Sequence, residues 1–222
     1  MRFTRRQFLA SAAAVLPFQR LRFGALSRLV DETHGCVLLD LAEQCSLRES
    51  LSGYVTALGP RAQLADAPSR LRCHTLIVPA AVELPPPALQ SIETCLDSGG
   101  RVILESGAGF ASRSEFQAHR AVLASLQIDV QAPMELWPRP RSRGIPYIEY
   151  TWPIHVQIRD FSRVVPLRGQ AGDVIASVDG LPVALRRPSG SGTLLVLGSP
   201  LGPALWAGDR EARRWLEASV LP

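Results

Sequence analysis

The 222-residue sequence predicts an α/β fold: a parallel sheet with helices on both faces, followed by a β-rich C-terminal part that contains a hairpin. Three observations carry this prediction. From residue 35 onward, short apolar runs alternate with stretches of helical periodicity; Gly and Pro mark the breaks between them; and after residue 128 the helical period gives way to short strands around Asp179-Gly180.

Cys36 to Leu41 reads as the first strand. Ser46, with Glu49 three residues on, has the spacing of a capping box, and Leu47, Leu51, Tyr54, Val55 and Leu58 then make the apolar face of a helix that Gly59-Pro60 ends. Arg61 to Asp66 is expected as a short second strand, and Thr75 to Val78 as a buried third. Pro85-Pro86-Pro87 opens a second helix whose inner face is Leu89, Ile92 and Leu96, because Pro is tolerated in a first turn. Asp97-Ser98-Gly99-Gly100 stops it, and Arg101 to Leu104 forms a fourth strand that runs straight into Glu105-Ser106-Gly107-Ala108-Gly109. A third helix is expected from about Ser114 to Gln127, with Phe116, Val122, Leu123 and Leu126 inward. Ile128 to Leu136 and Ile154 to Ile158 read as strands on either side of a Pro- and Arg-rich loop. Asp173 to Ser177 and Pro182 to Leu185 flank the Asp179-Gly180 turn; Thr193 to Leu197 is a buried strand; and Asp209 caps a closing helix with Ala212, Trp215, Leu216 and Val220 on one side.

Ahead of this domain, Arg5-Arg6 precedes Phe8-Leu9 and an alanine-rich apolar run ending at Phe18. The arrangement resembles a bacterial twin-arginine export signal. It implies a signal segment over 1–25, a single α/β domain over 26–222, the twin-arginine translocase as a partner, and a periplasmic protein, membrane-tethered where the signal stays uncleaved. Eleven residues from Phe8 to Phe18 are too few for a stable span, which takes about 20. The whole chain carries a net charge of +4; a cut after Ala14, which removes Arg2, Arg5 and Arg6, leaves +1, and a cut after Ala25, which also removes Arg20 and Arg22, leaves −1. A basic face for nucleic acid is therefore not expected.

Every one of the 24 basic residues is Arg, and the chain has no Lys and no Asn. Schiff-base catalysis, a P-loop lysine and N-linked glycosylation are excluded. The four cysteines, Cys36, Cys45, Cys73 and Cys95, show no C-x-x-C spacing, and no zinc site or cofactor is expected. Cys36 and Cys73 each start a predicted strand. If those strands are parallel neighbours, their separation of about 4.8 Å suits a disulfide.

The stretch Leu76 to Gly109, with a strand ending Val78-Pro79-Ala80, a helix closed by Ser98-Gly99-Gly100 and a strand delivering a sharp turn at Ser106, resembles the core of class I glutamine amidotransferase-like domains. The run from Gly172 to Gly198 is similar to the closing hairpin and last strand of that group. The resemblance implies a flavodoxin-like parallel sheet. A working glutaminase of the group has a cysteine at the strand-to-helix turn and a His-Glu pair. Here the turn holds Ser106, and no histidine is followed by Pro-Glu. The resemblance therefore implies a domain without amidotransferase chemistry, an exported pseudoenzyme that binds a small ligand or a partner protein. Related non-catalytic versions occur beside glycosidases, as in β-galactosidase trimerisation domains.

Candidate site residues follow from the rule that open parallel sheets bind ligands beyond the carboxyl ends of their strands. Asp40, Glu105, Ser106 and Ser199 are expected to converge there, with Gly107 and Gly109 giving close backbone approach. The alternative is a periplasmic serine hydrolase with Ser106 as nucleophile and His155 as base. Arg139, Arg141 and Arg143, followed by Tyr147, Tyr150 and Trp152, have the composition of an interface. A co-exported protein is a further possible partner.

Overall fold

The computed structural model describes residues 35–41, 47–66, 73–136, 146–159, 163–168 and 172–220. The signal-like residues Arg5, Arg6, Phe8 and Leu9, the expected cap Ser46, and the arginine loop at 139–143 lie outside the described residues.

Among the described residues the strands are β1 (Cys36–Leu39), β2 (Ala62–Ala65), β3 (Thr75–Ala81), β4 (Arg101–Ser106), β5 (Met134–Glu135), β6 (Tyr147–Tyr150), β7 (Val156–Arg159), β8 (Arg163–Val164), β9 (Asp173–Val178), β10 (Leu181–Ser189) and β11 (Gly192–Leu197). The α-helices are α1 (Arg48–Leu58), α2 (Pro86–Asp97), α3 (Arg113–Ser125), α4 (Gly202–Trp206) and α5 (Arg210–Val220). None of them is long and apolar enough to cross a membrane.

Nine strands form one mixed sheet in the order β2-β1-β3-β4-β11-β10-β9-β6-β7. This corrects the flavodoxin-like expectation of a parallel sheet with an appended β-rich part. β11 docks parallel to β4, with Leu195 opposite Ile103, and β10, β9, β6 and β7 continue the same sheet antiparallel. The physical reason is in the connections. Antiparallel neighbours need only short turns, and the chain after α3 supplies short turns in place of the helical crossovers that more parallel strands require. Asp179 and Gly180, both at positive φ, make the two-residue turn from β9 to β10.

The strand expected over 128–136 is also corrected. Only Val130 bridges Leu167, and Met134–Glu135 pairs with β8 in a separate two-stranded sheet. Pro133 lacks the N–H that a continuous ladder needs.

Because both faces of the sheet are covered, the central strands are apolar throughout: Leu76, Ile77 and Val78 of β3 and Val102, Ile103 and Leu104 of β4 are fully buried. One face packs Leu38, Ile77, Ile103 and Leu195 against α1, α4 and α5, with Tyr54 and Trp215 at its centre. The other packs Val37, Leu76, Leu104 and Val196 against α2 and α3 through Ile92, Leu96, Phe116 and Leu123. Trp215 also donates its indole N–H to the Trp152 carbonyl at 2.7 Å, and its ring meets that of Tyr150 at 4.9 Å.

Candidate functional site

The sequence points to the carboxyl ends of the parallel strands, and Glu105, near the end of β4, is the hub there. Its side chain is fully buried. Oε2 accepts from the Ser50 hydroxyl and from the Ala80 backbone N–H at 2.8 Å; Oε1 accepts from the Gly202 N–H at 2.8 Å and faces the Tyr54 hydroxyl at 3.4 Å. Ser50 and Tyr54 are one turn apart on α1 and so present to the same point. Ala80, at φ 33°, turns its N–H inward from β3, and Gly202 begins α4. Burial raises the Glu105 pKa, and the bonds from Ser50, Gly202, Ala80 and Leu201 oppose that rise.

Ser106 is equally enclosed. Its Oγ lies 3.2 Å from His119 Nε2 and accepts from the Ala108 N–H at 3.3 Å. The partner is therefore His119, on α3, and not His155. His155 stands beside β7, about 24 Å from β4 across five strand spacings, exposed and paired with Glu149 at 2.8 Å. Ser106 and His119 are each 1% exposed. Burial lowers the His119 pKa, and a hydrogen bond with the Val82 backbone opposes that fall. The pair is a sealed core contact, which corrects the serine-hydrolase alternative.

The other expected ligand residues surround the same point without opening it. Asp40 follows β1, half-buried, with its N–H bonded to the Ala65 carbonyl; Ser199 is buried. Gly107 donates its N–H to the Ala81 carbonyl, and Gly109 is covered by Arg163 and Val165.

An open depression of about 500 Å³ lies at the opposite end of the parallel strands, between the ends of α2 and α3 and the β10–β11 turn. Glu93, Asp97, Gln127 and Arg187 line it. Arg187 donates to the carbonyls of Leu126 and Gln127, which fixes its guanidinium in the wall. No group of His, Cys, Asp and Glu suited to a metal occurs among the described residues.

His119 is not among the residues that the sequence singles out. Its signal was helical spacing, since Phe116, His119 and Leu123 share one face of α3. Ser50 and Tyr54 read from the sequence only as part of a helix, and their convergence on Glu105 spans more than fifty residues.

No protein family and no curated protein matches the chain. Solved structures do. The chain is similar to a cold-adapted β-galactosidase from Rahnella sp. R3 (TM-score 0.58, 12% identity, over 86% of this chain and 32% of that one). It is also similar to an exo-β-1,4-mannosidase from Opitutaceae bacterium strain TAV5 (0.56, 10%, 84% and 36%) and to an α-L-fucosidase isoenzyme from Paenibacillus thiaminolyticus (0.55, 11%, 84% and 32%). The chain spans about a third of the length of these proteins. At such identities the likeness is one of fold, and the fold is shared with proteins named as glycosidases. That corrects the amidotransferase-like identification and, with it, the reading as a non-catalytic domain that binds a ligand or partner. The comparisons give no support to twin-arginine export.

Proposed function

We propose that this chain works in glycoside hydrolysis, as the α/β part of a glycosidase assembly. The observation that supports this reading is the likeness to a β-galactosidase, a mannosidase and a fucosidase over most of this chain and about a third of each of theirs.

Hydrolysis of a glycoside takes two carboxyl groups on opposite sides of the bond that breaks. Glu105 is sealed from any sugar. Glu93 and Asp97 line the open depression from one helix, one turn apart, and so stand on the same side. In this reading the acid and base come from the rest of the assembly, as this chain spans only about a third of the matched enzymes. In this reading the nine-stranded sheet supplies a rigid block, and the Glu105 hub fixes the segments at one end of it.

The test is genetic. Deleting the chain in its host should lower hydrolysis of nitrophenyl β-galactoside, β-mannoside or α-fucoside in extracts, and re-expression should restore it. Unchanged hydrolysis of all three would overturn the reading.

A further inference from the structure

Two cysteines outside the Glu105 site meet in the core. Cys73 lies two residues before β3, and Cys95 is in the last turn of α2. Their Sγ atoms are 3.6 Å apart, with Cys73 Sγ–H directed at Cys95 Sγ. The Cys95 thiol in turn faces the carbonyls of Cys73 at 3.7 Å and Arg101 at 3.6 Å.

The approach depends on Gly100. A Cβ there would stand 2.6 Å from Cys95 Sγ and 2.7 Å from the Cys73 carbonyl oxygen, so any side chain would push the two segments apart. Backbone bonds hold both sides at this distance: Gly100 N–H to Cys95 O and Arg101 N–H to His74 O, each 2.8 Å. Cys36, the partner expected for Cys73, instead lies opposite Thr75 and Ala62 in the strand register.

We propose that Cys73 and Cys95 form a disulfide, a covalent tie from the start of β3 to the end of α2. Closure shortens the sulfur–sulfur distance from 3.6 Å to about 2.05 Å. The chemistry is exchange with a donor disulfide. The thiolate of one cysteine attacks the donor and releases its first thiol. The second cysteine then attacks the mixed disulfide and releases the other. The two cysteines lose two protons and two electrons, and the donor is reduced to two thiols. The Cys73 S–H directed at Cys95 favours the Cys95 thiolate and lowers its pKa against the effect of burial; the same contact, with burial, raises that of Cys73.

The sequence provides a readout without a variant. Trypsin cuts after Arg72 and Arg101 and nowhere between, so both cysteines fall in one peptide, 73–101; Cys36 and Cys45 fall together in 29–48. The full chain is unfolded, refolded in a glutathione redox buffer, denatured, alkylated and digested. The expected result is a 73–101 peptide lighter by two hydrogens, unalkylated until reduced, beside a doubly alkylated 29–48. A doubly alkylated 73–101, or a 73–101 joined to 29–48, would overturn the proposal. The oxidised chain should also unfold about 5–12 °C above the reduced one, as closing a loop of this length implies.

Discussion

Glu105 joins four separate pieces of chain through a single carboxylate: its own strand β4, the end of β3, helix α1 and the start of α4. Glu105→Gln replaces one accepting oxygen by an NH2 group, which then faces either the Ala80 or the Gly202 N–H, donor against donor. The expected loss is about 2–3 kcal/mol of unfolding free energy, measured by urea titration. The pH trend has a definite sign. Burial holds the folded pKa above the ordinary carboxylate value, so the folded chain binds this proton more tightly than the unfolded one. The stabilisation is full below the ordinary range and declines as pH rises through the folded pKa. Wild-type stability relative to Glu105→Gln should therefore fall across that window; a rise would contradict the account. At Ser106 the enclosure with His119 predicts no labelling by a fluorophosphonate probe under native conditions, read by in-gel fluorescence.

At the scale of elements, α1 and α4 touch backbone to backbone. A Cβ on Gly53 would stand 1.9 Å from the Gly202 carbonyl oxygen, and one on Gly202 would stand 2.1 Å from Ser50 Oγ. Neither helix can retreat without breaking the Ser50 and Gly202 bonds to Glu105. Gly53→Ala should cost about 3 kcal/mol, at the upper end of overpacking effects, seen as a lower urea midpoint at unchanged slope. Glycine in mid-helix reads from sequence only as a weakness, so this contact was not legible there. The buried strands β1, β3, β4 and β11 were, because a strand covered on both faces must be a continuous apolar run. The β9–β10 hairpin was also legible, from Asp179-Gly180, but its membership of the same sheet was not. The alternation of Val156 to Arg159 marks a half-buried strand without telling which partner it pairs with or in which direction, and so the joining of β6 and β7 to the sheet went unread. Likewise Glu105 and Ser106 were found because a strand leads into them, whereas Ser50, Tyr54 and His119 come from helices whose packing angles fix the convergence.

On the scale of the molecule, the parallel strands of the sheet are covered on both faces, and Glu105, Ser106 and Ser199 are buried at the end where α/β sheets usually receive ligands. The polar groups gathered there are spent on one another, so the function is sought in what this block joins. The fold is shared with glycosidases three times as long, and the central claim is that glycoside hydrolysis belongs to an assembly containing this chain. The most direct measurement is to purify the tagged chain gently from its host, resolve it by size, and assay every fraction on nitrophenyl β-galactoside, β-mannoside and α-fucoside beside the chain produced alone. The account predicts hydrolysis that co-elutes with the chain at a size above its own 24.1 kDa and is missing from the chain alone. A chain that elutes at its own mass, with no hydrolysis in any fraction that contains it, would contradict it.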